Sequence, residues 1–167
     1  DPTLSLPPFS LSYRDAVLAL DRLAQSAQGL AARRYWEERL PALPGPPALP
    51  LRPGMDRRCR SRLRRREYVM DSELWHSFKT NAGRVGLTPS NAVFAAYAEI
   101  LAAWSNSRHF VLSNMMPRRL DIHPEIHDLL GNFVSLYPLE IDLRADTTFD
   151  QRAKLIQERV ILDSQHR

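Results

Sequence analysis

Apolar residues recur at helical spacing in two segments near the start of the chain. The first segment predicts a helix over about 13–25, with Ser10 or Ser12 as its N-cap. The second predicts a helix over about 29–40. Residues 40–54 follow with the sequence LPALPGPPALPLRPG, and proline lacks the backbone N–H that helices and central strands need. We therefore expect an extended connector or a domain boundary there.

The pattern after this connector combines strands with helices. The predicted elements are a strand at 60–70, helices at about 71–85 and 88–104, strands at 109–115 and 135–143, and a helix at about 148–164. Thr88 and Pro89 begin the second of these helices with a hydroxyl cap and a proline, and its apolar circumference predicts burial. Pro138 in the last strand favours a sheet edge or a bulge. This order predicts an α/β protein, an α+β two-layer sandwich with a mixed β-sheet and packed helices.

The composition is that of a globular chain, with 44% hydrophobic and 25% charged residues. The longest apolar stretch, residues 92–104, is too short to cross a bilayer and carries Glu99. The first ten residues lack the basic and apolar regions of a secretory signal. The single cysteine, Cys59, excludes an internal disulfide framework and a cysteine-rich zinc site. We therefore expect a cytoplasmic protein with no membrane partner.

The net charge of +4 is concentrated in one block. Residues 52–66 contain eight arginines and one acidic residue, and the arginines at 58, 60, 62, 64 and 66 would share one face of a strand. Such a face is typical either of a nucleic-acid-binding edge or of a solvated arginine face that deters edge pairing. No aromatic residue is interleaved for base stacking, so we favour the solvated face and expect no nucleic-acid partner.

No set of residues in the chain predicts catalysis by itself. His123 and His127 have a helical metal-ligand spacing, but Pro124 follows directly and Glu125 is not placed as in a zinc-protease motif. A loop-packing role is therefore favoured for both histidines, and we expect no metal site. Neither a glycine-rich phosphate loop nor a G-x-S-x-G nucleophile elbow occurs. Cys59 lies among arginines, but the sequence positions no base partner for it.

Several long segments nevertheless carry a family signature. Arg33–Leu51, RRYWEERLPALPGPPALPL, resembles the YW-x-x-RL-x-x-LP…LPL signature that joins the two lobes of condensation-superfamily domains in nonribosomal peptide synthetases. Leu87–Ser105, LTPSNAVFAAYAEILAAWS, is similar to the TPS…Y…WS pattern of the heterocyclization branch. Asp121–Leu143 and the final DSQHR also resemble this branch. The resemblance implies a structural role for the motif positions Trp36, Leu40, Pro50, Thr88, Pro89, Ser90, Tyr97, Trp104 and Ser105.

The resemblance to the heterocyclization branch has two departures. That branch typically has GDFTSL where this chain has Gly131–Leu136, GNFVSL, which is closer to the G-x-FVN motif of ordinary condensation domains. The FNR of the family is replaced by Met116-Pro117-Arg118. The resemblance therefore implies a heterocyclization domain as the leading hypothesis, with an ordinary or degenerate condensation domain that forms only the amide as the alternative. A non-catalytic interaction module with a basic strand is a third hypothesis.

The resemblance also implies that the chain is a portion of a larger domain. Domains of the family have two lobes related to chloramphenicol acetyltransferase, and their defining active-site motif lies in the first lobe. Residues 1–54 correspond to the inter-lobe helices and proline-rich linker, and residues 55–167 to the first half of the C-terminal lobe. We therefore expect an incomplete acetyltransferase-like lobe, catalytic residues outside this chain, and no condensation activity from this chain alone.

The implied substrates arrive on the phosphopantetheine arms of upstream and downstream peptidyl carrier domains, which enter a tunnel between the lobes. The implied enzyme binds no cofactor directly, has an adjacent adenylation domain, and contributes to siderophore or other natural-product biosynthesis. The remaining partners implied are the N-terminal lobe and the rest of the C-terminal lobe. Candidate tunnel residues lie in a loop at 114–118 and at the start of the last strand; they are Asn114, Arg118, Gly131, Asn132, Phe133 and Ser135.

Overall fold

The computed structural model describes residues 8–50 and 64–166, which form five α-helices and one pair of β-strands. The elements are α1 (Tyr13–Ala24), α2 (Ala27–Arg39), a 3₁₀ helix (Leu40–Ala42), α3 (Ser72–Arg84), α4 (Pro89–Ser105), β1 (His109–Pro117), a 3₁₀ helix (Pro124–His127), β2 (Val134–Asp142) and α5 (Phe149–Gln165). The two strands pair with each other. The predicted α/β class is confirmed.

Side-chain caps fix the helix starts that the sequence predicts. Ser12 Oγ accepts the Asp15 N–H at 3.2 Å and the Asp15 carboxylate accepts the Ser12 N–H at 3.0 Å, which completes a capping box. Asp71 and Thr88 each accept the backbone N–H three residues onward. Gly86, with a φ of +75°, stands after α3 in a conformation that glycine adopts without strain. The five predicted helices are confirmed, with ends that differ by no more than two residues.

The strand predicted at 60–70 is wrong over the part that the structure describes. Residues 64–70 form no regular secondary structure, while residues 60–63, Cys59 and most of the arginine block lie outside the described residues. Every side chain from 64 to 70 is exposed, with Tyr68 at 81% and Val69 at 87%. Burial of one face is what turns an alternating pattern into a strand, and no face is buried here.

The proline-rich connector, predicted to be extended over 40–54, begins with the 3₁₀ helix Leu40–Ala42 and is irregular over the rest of its described part. Residues 43–50 contain neither helix nor strand. The Gly45 carbonyl accepts the Val111 N–H at 3.0 Å, which ties the connector to the backbone of β1. The prolines beside Gly45, at 44, 46 and 47, have no N–H to donate to a strand, which agrees with the irregular backbone of this segment.

The described residues divide into two compact units. Unit 1 consists of residues 8–42, 113–138 and 162–166, and unit 2 of residues 43–50, 64–112 and 139–161. Unit 1 thus contains α1, α2, the second half of β1, the first half of β2 and the end of α5. Unit 2 contains α3, α4, the remaining halves of the two strands and most of α5.

Unit 1 has a small apolar core beneath α1. Its buried members are Ala16, Ile126, Leu129 and Phe133, with the partly buried Leu11 packed against them. Ala16 is the buried residue of α1, and the ring of Tyr13, three residues earlier, meets Phe133 edge-on at 5.4 Å. The core therefore joins α1 to the segment that leads into β2.

The hydrogen bonds at the two ends of the sheet define its register. Leu143 N–H donates to the Arg108 carbonyl at 2.7 Å, and Arg118 N–H donates to the Phe133 carbonyl at 2.6 Å. These bonds make the pair antiparallel and place Tyr137 directly opposite Asn114. In this register the missing N–H of Pro138 faces away from β1. Pro138 therefore costs the ladder no hydrogen bond, as expected for an edge position.

In unit 2, Gln157 of α5 ties three groups at the start of α4 together. Its Oε1 accepts the Thr88 N–H at 2.9 Å and the Asn91 amide at 3.2 Å, and its Nε2 donates to the Gly86 carbonyl at 2.9 Å. One turn earlier in α5, Arg152 donates to the Glu99 carboxylate at 2.6 Å. Both contacts hold α5 beside α4.

The predicted burial of α4 is confirmed for one face and wrong for another. The buried residues are Ala92, Ala95, Ala98, Leu101, Ala102 and Ser105. The exposed ones are Val93, Tyr97, Ile100 and Trp104, at 52, 53, 57 and 66%. The buried positions are mostly alanine, so the packed face of α4 consists of small side chains. The large apolar side chains form a stripe on the exposed side of the helix.

Candidate functional site

Asn114 lies within β1. The sequence had placed it in a loop at 114–118. The strand extends through Pro117 because the start of β2 pairs with it. Asn114 Nδ2 donates to Tyr137 Oη on the opposite strand at 2.6 Å. The amide of Asn114 thus orients the ring of Tyr137, which is 6% exposed.

Arg118 and Ser135 lie on the same side of the sheet as Tyr137. The bond from Arg118 N–H to the Phe133 carbonyl sets this arrangement, since side chains two residues apart on a strand share a face. Both residues line one pocket of about 260 Å³ in unit 1. Two of the candidate tunnel residues are thereby brought together.

The opposite wall of this pocket comes from α2 and the end of α5. The full lining is Ala24, Gly29, Ala32, Arg33, Trp36, Arg118, Ser135, Leu136, Tyr137 and His166. Trp36 Nε1 donates to the His166 carbonyl at 2.6 Å, and the Trp36 ring lies 6.1 Å from that of Tyr137. The tryptophan of the YW motif therefore forms a wall of the pocket, a role that the motif alone does not reveal.

Two residues of the pocket lining, Arg118 and Ser135, each contain a buried polar atom. Arg118 Nε and Ser135 Oγ are buried, and neither has a hydrogen-bond partner among the described residues. No carboxylate belongs to the pocket lining, and its other cation, Arg33, is paired with Glu37 at 2.7 Å. Leaving such groups without a hydrogen-bond partner costs free energy.

The other three tunnel candidates pack against α1 and do not line this pocket. Tyr13 Oη donates to the Asn132 carbonyl at 3.1 Å, and the Tyr13 ring contacts Phe133. A Cβ added to Gly131 would stand 2.3 Å from Tyr13 Cδ2. Gly131, Asn132 and Phe133 therefore hold the entry to β2 in place.

Arg119 organises the same segment and was not predicted from the sequence. Its guanidinium donates to the Leu129 carbonyl at 2.9 Å and to the Ile126 carbonyl, and it lies 4.2 Å from the centre of the Phe133 ring. The Ile126 carbonyl belongs to the 3₁₀ helix Pro124–His127, whose last carbonyls need external donors, and the Leu129 carbonyl lies just beyond it. In the sequence Arg119 is one of two adjacent arginines, and nothing there separates the structural one from its neighbour.

Glu125 fixes the chain that enters α1. Its Oε2 accepts the Ser10 N–H at 2.8 Å, the Ser10 hydroxyl at 2.9 Å and the Leu11 N–H at 3.1 Å. These hydrogen bonds hold the pKa of Glu125 below its usual value, and the bond from the Ser10 hydroxyl has the largest effect.

The YW motif and the DSQHR motif meet within unit 1. Tyr35 stacks on His166 with ring centres 3.8 Å apart, and its hydroxyl donates to Asp163. Arg39, one turn beyond Tyr35, forms an ion pair with the same carboxylate. These two motifs, which the sequence separates widely, therefore form one structural cluster.

The remaining motif residues have capping, packing or surface positions in the described chain. Thr88 caps α4, Pro89 is its first residue with Ser90 following, and Ser105 is buried at its last turn. Tyr97 and Trp104 belong to the exposed stripe of α4. Leu40 and Pro50 are exposed.

His123 and His127 hold the loop before β2. His123 Nδ1 accepts the Glu125 N–H at 3.2 Å, and His127 pairs with Asp121 at 3.0 Å. Across residues 8–50 and 64–166, no three histidine, cysteine or acidic side chains are clustered as metal ligands. The same residues contain no helix that combines the length and the apolar character of a membrane span.

Comparison with known proteins gives one consistent family. The family model described as "Condensation domain" matches residues 2–167. Phenyloxazoline synthase MbtB of Mycobacterium sp. (strain MCS) is 40% identical over 134 residues, which are 80% of this chain and 12% of that protein. Pyochelin synthetase PchF of Pseudomonas aeruginosa (strain UCBPP-PA14) is 34% identical over 166 residues, which are 99% of this chain and 9% of that protein.

A solved structure extends the similarity to the fold. The cyclization-docking bidomain of the EpoB nonribosomal peptide synthetase from Sorangium cellulosum matches with a TM-score of 0.85 and 39% identity. The match covers 99% of this chain and 34% of that one. The chain therefore spans about a third of that structure and a smaller share of the relatives above.

Proposed function

Because the chain belongs to the condensation-domain family, we propose that it forms part of a heterocyclization domain in a nonribosomal peptide synthetase. The observation that carries the proposal is the 39% identity to a cyclization bidomain over 99% of this chain, at a TM-score of 0.85. A phenyloxazoline synthase and a pyochelin synthetase are relatives at 40% and 34% identity. These names point toward ring-forming chemistry.

The proposed reaction has two stages. The amine of a carrier-bound cysteine, serine or threonine attacks the thioester carbonyl of the donor, the C–N bond forms, and the C–S bond breaks to release the donor carrier thiol. The side-chain thiol or hydroxyl of the acceptor then adds to the new amide carbonyl. Loss of the carbonyl oxygen as water, with protons from the amide nitrogen and the attacking group, leaves a thiazoline or an oxazoline.

The role proposed for this chain is positioning. Residues 1–54 would connect two lobes and residues 55–167 would begin the second, with the catalytic motif outside this chain. Holding two carrier-bound substrates in reactive geometry supplies much of the rate of such a reaction. The pocket formed by α2, the end of β1 and the start of β2 offers a wall for that purpose. The proposed partners are the carrier domains, an adjacent adenylation domain and the remaining parts of both lobes.

One sequence feature favours a second candidate, a condensation domain that forms only the amide. The chain has Asn132-Phe133-Val134 where heterocyclization domains typically have Asp-Phe-Thr. In the structure, the Asn132 carbonyl and the Phe133 ring both contact Tyr13, so this stretch serves the packing of β2 against α1. The substitution is therefore compatible with either reaction.

The test uses the full synthetase that contains this chain, with its two carriers loaded chemically with thioester substrates. A cysteine-, serine- or threonine-loaded acceptor carrier is compared with an alanine-loaded one, which has no side-chain nucleophile. We expect a product one water lighter than the linear amide from the first set and only the linear amide from alanine, both measured by mass spectrometry. The linear amide from every acceptor supports the second candidate. No condensed product from any acceptor contradicts both.

A further inference from the structure

One carboxylate oxygen, Oε2 of Glu125, holds the chain that enters α1. It accepts three hydrogen bonds, from the Ser10 N–H at 2.8 Å, the Ser10 hydroxyl at 2.9 Å and the Leu11 N–H at 3.1 Å. In the described part of the chain, neither N–H has another acceptor. Glu125 therefore fixes two consecutive peptide groups immediately before Ser12, the N-cap of α1.

The backbone that carries Glu125 is itself well fixed. The Glu125 N–H donates to His123 Nδ1 at 3.2 Å, and the ring of Pro124 restricts the backbone between them. Ile126, the next residue, is 1% exposed, and its carbonyl accepts a hydrogen bond from Arg119. The carboxylate thus projects from an ordered segment and can orient the groups that bind to it.

A second contact joins the same two pieces of chain. Tyr13 Oη donates to the Asn132 carbonyl at 3.1 Å, and the Tyr13 ring meets Phe133 edge-on at 5.4 Å. Residues 10–13 are therefore bound at two places to residues 125–133, the segment that leads into β2. Two separate attachments fix the direction in which the chain enters α1 relative to the start of β2.

The Glu125 contact contributes to this direction more than to stability. The side chain of Glu125 is 34% exposed, and Ser10 is exposed as well. Hydrogen bonds at such positions replace hydrogen bonds to water, so their net contribution to the free energy of unfolding is small. The core beneath α1 is apolar and does not include Glu125. What the three hydrogen bonds add is a defined path for the entering chain.

We propose that Glu125 is a positioning residue for the proposed reaction, because it fixes the point at which the chain from the first lobe joins unit 1 beside the start of β2. The proposal rests on the proposed function, under which residues 1–54 connect the two lobes and the catalytic motif lies in the first. The two carrier-bound substrates must be held in reactive geometry, and a misplacement of about 1 Å can cost about a hundredfold in rate. A loosened entry to α1 lowers the rate without altering any group at the reacting atoms.

Hydrogen exchange in the full synthetase tests the contact itself. Glu125→Ala should raise the exchange rates of the Ser10 and Leu11 amides about tenfold, since both lose their acceptor. The amides in the second half of α1 bond within the helix and should keep their wild-type rates. Unchanged exchange at Ser10 and Leu11 would show that Glu125 does not hold the chain, and would overturn the proposal.

Turnover of the full synthetase with both carriers loaded tests the positioning role. Glu125→Ala should lower kcat for the condensed product about tenfold with little change in the KM for either loaded carrier, because binding is retained and alignment is lost. Glu125→Gln keeps an acceptor oxygen and should lie between the alanine variant and wild type. Glu38→Gln makes the same chemical change at an exposed position of α2 and should leave kcat unchanged. A wild-type kcat in Glu125→Ala overturns the proposal.

A core variant distinguishes positioning from a general loss of structure. Leu129→Ala removes a buried side chain from the core beneath α1 and none of the hydrogen bonds to Glu125, so it should lower stability more than Glu125→Ala does. At a temperature at which both variants are folded, Leu129→Ala should keep the wild-type kcat. An equal loss of kcat in the two variants would show a merely structural effect and overturn the proposal.

The wild-type synthetase separates this proposal from the one on which it rests. Absence of condensed product from the wild type contradicts the proposed function. Product from the wild type, combined with a wild-type kcat in Glu125→Ala, contradicts only the positioning role of Glu125.

Discussion

The Tyr35 hydroxyl donates a hydrogen bond to Asp163, a carboxylate with no solvent exposure. The guanidinium of Arg39, one turn further along α2, forms an ion pair with the same Oδ1. A buried carboxylate is stable only when donors replace its water, and here both donors come from one face of α2. The end of α5 is thereby fixed to α2, next to the stacked rings of Tyr35 and His166.

We expect Asp163→Ala to destabilise the protein by about 3 kcal/mol, because removing one member of a buried ion pair strands its partner in a site built for the pair. Tyr35→Phe removes two hydrogen bonds, the one donated to Asp163 and the one accepted from Arg39, and should cost about 1–2 kcal/mol. Urea unfolding of both variants measures the difference. Equal losses from the two substitutions would mean that the ion pair contributes little.

The helices of this fold follow from local signals in the sequence, and the polar clusters do not. A cap such as Ser12, Asp71 or Thr88 acts on an N–H three residues away, so a short window contains the whole interaction. Asp163 and Tyr35 are far apart along the chain, and only tertiary packing brings them together. The family resemblance identified the motifs that contain Tyr35 and Asp163, but it did not indicate that the two side chains contact each other.

Gly131 and Gly83 make a matched pair with opposite expectations. A Cβ at Gly131 meets Tyr13 Cδ2 at 2.3 Å, whereas a Cβ at Gly83 in α3 has nothing within 4 Å. We expect Gly131→Ala to cost about 1–3 kcal/mol, because the Tyr13 ring must move. Gly83→Ala should stabilise by up to about 1 kcal/mol, since alanine favours the helix. Thermal and urea unfolding measure the sign of the change in stability for each variant. A Gly131→Ala variant that is more stable than wild type would exclude the close contact with Tyr13.

The sequence named Arg118 and Ser135 as candidate site residues, and it did not indicate which other residues line a pocket with them. Arg118 and Ser135 lie together because β1 extends two residues further than its hydrophobic pattern indicates and pairs with the start of β2. Trp36 and His166 reach the same pocket from distant segments. Alternation within a strand specifies a face, but the register between strands and the helix that covers them depend on contacts outside any local window.

Neighbouring residues in α4 test which face of the helix packs. Leu101 is 9% exposed and Ile100 is 57% exposed. We expect Leu101→Ala to destabilise this chain by about 2–4 kcal/mol, through lost burial and the cavity that remains. Ile100→Ala should change stability by less than about 1 kcal/mol, because most of that side chain is already in contact with water. Chemical unfolding measures both changes. A larger loss of stability from Ile100→Ala would mean that the apolar stripe, and not the alanine face, is the packed face of α4.

The ion pair at the end of β2 should make stability depend on pH in the acidic range. The hydrogen bond from Arg144 lowers the pKa of Asp142 from its usual 3.8 to about 2. A carboxyl whose pKa is depressed by folding stabilises the protein above its unfolded pKa, and this contribution is lost as the pH falls through about 4 toward about 2. Asp142→Asn should therefore lower the urea midpoint at about pH 7, with a difference from wild type that shrinks below about pH 4. The pair is half exposed, so added salt should weaken the effect.

Asp128→Asn, at an exposed position with no ion pair to a described residue, serves as the control. A difference for Asp142→Asn that is the same at both pH values would show that the Arg144 contact does not stabilise the ionised form.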